Sequence, residues 1–494
     1  MSCSAKDKFN VKHILLVMAC VLVSMLFCCA YTSPLYPHYI NSDSPIFMLI
    51  GRGIAEGKTC YVDLFDHKGP VMFFIEALGW AIAGRTGIWL LECAAMLVCI
   101  AAIGGICKEL KANSFLPIIA SAAVLFSTFC HGNLTEDYSL PLIYISLYFA
   151  IKYLASGKEK HPPLYALVYG ISFGLLAFIR INNALIVCAL ILCIAIELIC
   201  KKEYACLFKN LAAGLAGVVL VAIPICAYFY AKGALYDMVY ATFLYNLLYA
   251  EESSHGAIFS RQFLHFAVLY APIVYATVVF VVKRKALPKV LSITMITASA
   301  LSLLMLLYAN IYEHYFTLAI PMFTVAVAVT YPHFEISDTV KIRRALQAKK
   351  ISGVLLVVIV VYLGLSAYMA AAPFYKGYIT DISYDRYNQI STGAQVIPED
   401  ERDSVLGFAI PVEWYFDADL VPCYKYYTLQ YWWTTSQLDV YGETLDYMRT
   451  QHPAWLITRN DMNDPEVKII LSDDYELVTQ NDYACYYRYC GGET

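Results

Sequence analysis

Residues 31–70 read YTSPLYPHYINSDSPIFMLIGRGIAEGKTCYVDLFDHKGP, and the rest of the chain is organised around this hydrophilic run. A long apolar segment precedes it, and the chain behind it is mostly apolar as far as Ala372. Two membrane helices need only a short turn between them, whereas this connection carries acids, a base and several turn-forming Gly and Pro residues. Long connections of this kind usually carry function. We therefore predict a working loop behind the first membrane helix.

The composition indicates a polytopic α-helical membrane protein. The chain has 494 residues, of which 60% are hydrophobic and 15% are charged. Soluble domains carry roughly 25% charged residues, and so much apolar surface could not be hidden in a water-soluble core. Segments of sufficient length predict about eleven membrane helices. These segments lie near residues 12–32, 87–107, 115–131, 139–155, 164–180, 183–200, 208–231, 263–282, 289–308, 315–332 and 351–372.

The basic residues predict the topology, because Lys and Arg concentrate in cytoplasmic connections. With a cytoplasmic N-terminus, most basic residues, including the run 283–285, fall inside, and the first loop lies outside. The apolar segment 71–84 is short for a crossing and predicts an interfacial or re-entrant helix that closes this loop. Counting it as a crossing would place Lys108 and Lys111 outside. The basic residues therefore favour eleven crossings.

Residues 373–494 are less apolar and predict a small extracytoplasmic α/β domain behind a membrane domain of residues 1–372. Residues 404–410 and 454–458 read as strands, and 443–451 as a helix between them. Residues 475–489 read as strand-like around an Asn-Asp turn at 481–482. The 17 cysteines lie mostly in apolar segments and do not indicate a disulfide scaffold. The spacing of Cys485 and Cys490 leaves open whether these two pair.

The candidate functional residues gather at the predicted outer ends of the helices. Ionisable groups are costly in lipid and are retained mainly for function, so this distribution indicates an outward-facing polar cavity. The first loop contributes Asp43, Asp63, Asp66, His67 and Lys68. Later connections contribute Glu136, Asp137, Arg180, Asn182, Asn183, Glu313 and His314.

Each first-loop candidate has a structural and a functional interpretation. Asp43 either caps the helix that follows it or acts as a general base on an acceptor hydroxyl. Lys68 either extends to lipid headgroups or holds a lipid phosphate. Asp66 and His67 either belong to the site or orient Lys68. The residues alone leave these alternatives open.

Each of the later candidates also has a structural and a functional interpretation. Glu136 and Asp137 suit a helix N-terminus electrostatically and could also line a site. Arg180 lies between two apolar runs and needs a partner, either an acid or a substrate anion. Glu313 and His314 open a span and either cap it or serve in catalysis. No zinc-ligand spacing, phosphate loop or dinucleotide fingerprint appears in a supporting context.

The first loop resembles the opening of the bacterial GT-C-fold membrane glycosyltransferases, which are related to protein O-mannosyltransferases and the lipid A aminoarabinose transferase. The family pattern is an early acid, a short helix ending at a Gly, and then Tyr, Asp, Lys and Pro in that order. These positions are Asp43, Gly57, Tyr61, Asp63, Lys68 and Pro70. GNLTEDYSLPL (132–142), FIRINNAL (178–185) and YEHYFTLAIP (312–321) also resemble family landmarks. Two departures are the Gly after Lys68 and the single acid at residue 43, where relatives often have Pro and an acid pair.

The resemblance implies inverting transfer of a hexosyl or pentosyl unit from a polyprenyl-phosphate donor to a cell-envelope acceptor on the outer face. The implied partners are the lipid-linked donor, a polysaccharide, lipid or protein acceptor, and membrane lipids, with no nucleic acid. Asp43 would be the base, Lys68 with Arg180 would bind the donor phosphate, and the other candidates would bind substrate. No cofactor is certain, and a divalent cation, Mg²⁺ or Mn²⁺, stays open. The alternative is a glycan or lipid transporter or flippase without transferase activity.

Overall fold

A computed structural model describes residues 43–128, 132–252, 261–308, 312–331, 382–430 and 433–491, with residues 19, 22, 23, 26 and 30–35 near the N-terminus. The chain divides into two compact units. We call Met1–Ala30, Glu92–Pro224 and His255–Phe374 the helical unit. We call Tyr31–Leu91, Ile225–Ser254 and Tyr375–Thr494 the mixed unit. The predicted boundary between residues 372 and 373 lies outside the described residues and stays a prediction.

The helical unit consists of apolar helices joined by short connections. Its complete helices are Phe115–Thr128, Thr135–Ser156, Pro163–Arg180, Leu185–Cys200, Arg261–Val282, Lys289–Tyr308 and Ile320–Thr330. The 3₁₀ turns Ile181–Ala184 and Glu313–Ala319 lead into the helices that follow them. Two long helices, Pro70–Glu109 and Tyr204–Ala231, each contribute residues to both units. Long apolar runs form helices because a helix satisfies its own backbone hydrogen bonds.

Within the described residues, six helices are long and apolar enough to cross a membrane. They are Pro70–Glu109, Thr135–Ser156, Pro163–Cys200, Tyr204–Ala231, Lys289–Leu307 and Glu313–Thr330. Each predicted span between residues 87 and 332 coincides with a helix, whereas spans 12–32 and 351–372 lie largely or wholly outside the described residues. The fold class of a multi-pass helical membrane protein with a small C-terminal sheet is confirmed, and the count of eleven stays a prediction.

Small residues and hydroxyl groups hold the helices of the helical unit together. A Cβ at Gly170 would overlap the carbonyl oxygen of Gly214, so helices Pro163–Arg180 and Tyr204–Ala231 touch backbone to backbone there. Ser121 shares a hydrogen bond with Thr324 across 2.5 Å. Such small-residue contacts and interhelical hydrogen bonds replace the hydrophobic driving force that lipid does not provide.

The helical part of the mixed unit begins with Asp43–Ala55. This helix starts at an acid, which suits the positive end of the helix dipole, and ends before Gly57, whose φ is +97°. The next helix, Pro70–Glu109, has non-helical backbone angles at Ala83 and Gly84. The break separates the predicted short helix 71–84 from the predicted span 87–107. The position of that short helix at a membrane surface stays a prediction.

The C-terminal part of the mixed unit contains a four-stranded sheet. Its strands are β1 (Val405–Phe408), β2 (Trp455–Thr458), β3 (Tyr475–Gln480) and β4 (Cys485–Tyr489), in the order β1-β2-β4-β3. β1 and β2 are parallel, and β4 is antiparallel to both of its neighbours. These strands and helix Val440–Gln451 confirm the sequence prediction, which missed helices Ile382–Ala394 and Pro465–Asp474. The cysteines among the described residues, including Cys485 and Cys490, are free.

Candidate functional site

A tight turn positions the charged residues of the first loop. Tyr61 adopts a left-handed φ of +72°, and its backbone N–H donates to the carbonyl oxygen of Leu64 over 2.8 Å. The carboxylate of Asp63 accepts a 2.6 Å hydrogen bond from the backbone of Thr59. The Tyr61 hydroxyl then donates to the backbone oxygen of Lys68 over 2.8 Å. Asp63 therefore shapes the turn, whatever else it binds.

Asp66 and Lys68 form a buried acid–base pair. The Asp66 carboxylate accepts a 2.8 Å hydrogen bond from the Lys68 backbone N–H, and the Lys68 ammonium lies 3.7 Å from the same oxygen. The ammonium also lies 5.4 Å from the centre of the Phe47 ring. Both charged side chains are buried. The structure therefore does not show Lys68 extended toward solvent, and Asp66 orients it.

Electrostatics couple this pair to Asp43. Burial raises the pKa of Asp66, the Lys68 ammonium opposes that shift, and the charge of Asp43 adds to it. Asp43 is half-buried and begins helix Asp43–Ala55, so its position suits the helix dipole as well as a catalytic role. The predicted base Asp43 and the predicted phosphate-binding residue Lys68 thus both act on the pKa of Asp66, in opposite directions.

Side chains between residues 240 and 249 contact the first loop. The His67 ring packs against both Tyr245 and Tyr249, with centroid distances of 5.2 and 5.8 Å. The amide of Asn246 donates to the backbone oxygen of His67 over 2.8 Å. The Tyr61 hydroxyl lies 3.4 Å from that of Thr242. His67 is therefore packed against aromatic rings, and its backbone is fixed by a side chain about 180 residues further along the chain.

Residues of the C-terminal part of the mixed unit also contact the first loop. These contacts were not predicted from the sequence. The backbone N–H of Phe65 donates to the backbone oxygen of Lys425 over 2.9 Å. The Phe65 ring packs edge-on against Tyr426 and Trp433, with centroid distances of 5.5 and 5.7 Å. The Arg52 guanidinium pairs with Asp419 over 2.8 Å. The aromatic run YKYYTLQYWW (424–433) is a signal that could have indicated a packing role.

The helical unit contains a second cluster. The Arg180 guanidinium donates to the Glu136 carboxylate over 3.1 Å and to the Tyr315 hydroxyl over 2.5 Å. Arg180 also lies over the Tyr315 ring, 4.4 Å from its centre. The Glu136 side chain is almost fully buried, whereas 21% of the Arg180 side chain is exposed. Of the two partners left open for Arg180, the structure shows the acid.

Asp137 has a capping role at the start of helix Thr135–Ser156. Its carboxylate accepts a 3.1 Å hydrogen bond from the backbone of Leu134, which precedes the helix. Nearby, the amide of Asn183 donates to the Ser139 hydroxyl over 2.9 Å. Glu92, which was not among the predicted site residues, is buried and accepts a 2.8 Å hydrogen bond from the backbone of Asn133. Its signal was an isolated acid in a long apolar run.

The remaining candidates lie on the two 3₁₀ turns of the helical unit. Asn182 is exposed on Ile181–Ala184, and Glu313 begins Glu313–Ala319. The His314 ring packs edge-on against Tyr315, with a centroid distance of 4.7 Å. Tyr315 thereby links His314 to Arg180.

The predicted site residues thus form two groups. The first-loop residues belong to the mixed unit, and all the later candidates belong to the helical unit. Within the part of the chain that the structure describes, no group of three or more His, Cys, Asp or Glu side chains is arranged to hold a metal ion. The divalent cation that the sequence leaves open stays a prediction.

Comparison with known proteins places this fold. Residues 4–384 match the family model described as putative competence-induced protein Ccs4, N-terminal domain. No curated protein matches the chain.

Three solved structures share the fold at low sequence identity. A crystal structure of ArnT from Cupriavidus metallidurans bound to undecaprenyl phosphate is 12% identical, with a TM-score of 0.57 over 98% of this chain and 99% of that one. AglB, an oligosaccharyltransferase from Archaeoglobus fulgidus in complex with an inhibitory peptide and a dolichol-phosphate, is 12% identical, with a TM-score of 0.50 over 99% of this chain and 75% of that one. The apo form of the Archaeoglobus fulgidus oligosaccharyltransferase is 11% identical, with a TM-score of 0.52 over 99% and 76%. The predicted relation to GT-C-fold enzymes is confirmed at the level of the fold.

Proposed function

This chain belongs to the family of putative competence-induced proteins Ccs4, whose N-terminal domain model it matches over residues 4–384, and we propose that it is an inverting membrane glycosyltransferase. It would move a hexosyl or pentosyl unit from a polyprenyl-phosphate donor to a cell-envelope acceptor on the outer face. The observation that carries this proposal is a fold shared along 98% of the chain with ArnT, which was solved bound to undecaprenyl phosphate. AglB, solved with a dolichol-phosphate, supports the same class of donor.

Lys68 and Arg180 are the residues we propose for the donor phosphate. When the sugar leaves, negative charge develops on that phosphate, and a cation held in place stabilises the transition state. Lys68 is suited to this role because its ammonium faces the buried Asp66 carboxylate. The two groups are 3.7 Å apart, which is longer than a hydrogen bond. Arg180 pairs with Glu136 while 21% of its side chain stays exposed, so the pair is not fully enclosed.

Asp43 is the residue we propose as general base. Attack on the anomeric carbon requires removal of a proton from the acceptor hydroxyl, and a carboxylate near neutral pH can accept it. Asp43 is half-buried at the start of helix Asp43–Ala55, whereas the side chain of Asp63 is used to shape the turn and that of Asp66 to orient Lys68. Inversion follows from a single displacement at that carbon.

The other candidates would bind the sugar and the acceptor. They are Asp63, Asp66, His67, Glu136, Asp137, Asn182, Asn183, Glu313 and His314. The acceptor would be a polysaccharide, a lipid or a protein, and the peptide bound to AglB makes a protein acceptor worth including in every assay. The N-terminus would be cytoplasmic and the C-terminal sheet extracytoplasmic.

The test is transfer of label from a radiolabelled polyprenyl-phosphate sugar to endogenous acceptors in membranes. Replacing Asp43 with Asn should lower the rate by about 10²–10⁴-fold, the usual contribution of a positioned base. Glu56→Gln is the matched control, because it also removes one acid from the segment, one residue beyond the end of helix Asp43–Ala55. Transfer unaffected by Asp43→Asn would remove the proposed base.

Two further arms address the open alternatives. Labelled lipid that crosses liposome bilayers without any transfer would favour the flippase and contradict the proposed activity. The second arm tests whether transfer requires a divalent cation. If it does, EDTA should abolish transfer, and addition of the required ion, Mg²⁺ or Mn²⁺, should restore it.

A further inference from the structure

A polar cavity of about 370 Å³ lies in the C-terminal part of the mixed unit, among residues that the transfer site does not use. Its lining includes Arg386, Glu413, Trp414, Arg459 and Tyr483. Small-molecule sites typically have volumes of ~300–1,000 Å³, so the cavity is large enough for one small unit. All of its lining residues fall between 386 and 483.

Two buried carboxyl groups of one short helix have oxygens without a hydrogen-bond donor among the described residues, and one of the two, Glu413, lines the cavity. Glu413 and Asp417 occupy the two ends of helix Glu413–Asp417 and are only 2% and 4% exposed. The Arg386 guanidinium lies 3.5 Å from Glu413 and 3.6 Å from Asp417. The second oxygen of Glu413 and both oxygens of Asp417 accept no hydrogen bond from any described residue. Buried polar atoms are normally satisfied, so Glu413 brings to the cavity lining one acceptor that no described residue fills.

The rest of the lining supplies fixed polar groups and rings. Arg459 is held by two hydrogen bonds to Asp461, of 2.9 and 2.6 Å. Asp482 accepts a 3.0 Å hydrogen bond from Gln389. Of the two aromatic residues in the lining, Trp414 is buried and Tyr483 is half-buried. The lining therefore combines oriented hydrogen-bonding groups with two aromatic surfaces.

These features discriminate between classes of ligand. An anion such as phosphate would face the Glu413 carboxyl group, while both cavity arginines already have acidic partners. An apolar ligand would leave the carboxyl oxygens without donors, which costs free energy. A sugar ring offers hydroxyl groups that donate to carboxyl oxygens and accept from guanidinium groups, and its C–H faces pack on aromatic rings.

We propose that this cavity is an accessory binding site for one saccharide unit, held through its hydroxyl groups by Glu413 and Arg386 and against the rings of Trp414 and Tyr483. The site takes no part in the transfer step. It rests on the proposed function only in that the saccharide would belong to the acceptor, so that the C-terminal part of the chain selects what is glycosylated.

The test is saturation-transfer NMR on the full chain in lipid nanodiscs. The probes are methyl glucoside, galactose, rhamnose, glucosamine and N-acetylglucosamine, with inorganic phosphate and the tripeptide Gly-Lys-Gly as competitors. We expect at least one saccharide to receive saturation from the wild-type chain. Tyr483→Ala should weaken its binding about tenfold through loss of ring contact, and Glu413→Gln should weaken it further.

Arg449→Ala is the matched control, because it removes an exposed ion pair with Glu466 outside the cavity. Tyr483 is half-buried, so its variant keeps the test valid even where Glu413→Gln does not fold. The proposal is overturned by absence of saturation of every saccharide, by binding that Tyr483→Ala leaves unchanged, or by stronger binding of phosphate or the tripeptide. Because binding is measured without turnover, these results are independent of the transfer assay with Asp43→Asn.

Discussion

Variants of Arg180 can distinguish a structural role, measured as stability, from a role in transfer, measured as activity. Its guanidinium contacts Glu136 over 3.1 Å and the Tyr315 hydroxyl over 2.5 Å, and Glu136 is almost fully buried. Replacing Arg180 with Met would leave that carboxylate in the protein interior without its cation. Breaking a buried pair in this way costs about 3–5 kcal/mol. Because 21% of the Arg180 side chain is exposed, we expect the lower end, about 3 kcal/mol.

The assay compares three variants for stability and for transfer. The free energy of unfolding is measured by titration with a denaturing detergent, and transfer is measured with the labelled lipid donor. Arg180→Met should be destabilised, and the double variant Arg180→Met, Glu136→Gln should recover most of the loss, because no buried charge remains. Glu136→Gln alone reports the intrinsic effect of removing the acid.

Transfer then distinguishes the two roles of Arg180. If Arg180 also contacts the donor phosphate, the double variant should fold and still transfer about 10²–10³-fold more slowly than Glu136→Gln alone. Full recovery of transfer in the double variant would show that Arg180 serves only to balance Glu136. An Arg180→Met variant as stable as the wild type would refute the burial argument itself.

Three further perturbations test the mixed unit. Burial raises the pKa of Asp417 from 3.8 to about 7, so between these values the folded state binds more protons than the unfolded state, and stability falls as pH rises through that window. Asp417→Asn should therefore raise the free energy of unfolding at pH 8, by about 4 kcal/mol at most, and change it little near pH 4, as measured by hydrogen exchange of residues 405–417. Gly51→Ala should destabilise by about 1–3 kcal/mol in thermal unfolding, because the added methyl group would overlap the Cβ of Glu76 and lie 2.7 Å from its carbonyl carbon. Phe65→Ala should cost about 3–5 kcal/mol by the same measurement, because the ring is buried against Tyr426, and an unchanged melting temperature would contradict that packing.

Much of the candidate site could be proposed from the sequence because charged residues are rare in apolar chains and therefore conspicuous. Asp66, Lys68 and Arg180 were all found in this way. Glu92 was overlooked because it stands alone, and an isolated acid gives no spacing to interpret. A helix-start role for Asp137 was weighed in advance on electrostatic grounds, and the structure shows its carboxylate accepting a hydrogen bond from the backbone of Leu134 there.

The partners of these residues could not be predicted. Tyr315 lies 135 residues from Arg180, and Lys425 lies 360 residues from Phe65. No periodicity in the chain connects such positions, because the choice of partner depends on how whole elements pack. The aromatic run near Trp433 was visible, but its packing against the first loop was not.

The sequence by itself determined the class of the protein and most of its elements. Runs of apolar residues long enough to span a bilayer form helices because a helix satisfies every backbone group internally. The short apolar runs near residues 405 and 455 form buried strands, as their length predicts. Only the tertiary structure decided that Arg180 balances Glu136, that Tyr426 and Trp433 pack against Phe65 of the first loop, and that a polar cavity opens beside Glu413. Those outcomes depend on contacts between distant segments, whose energies exist only after the elements have come together.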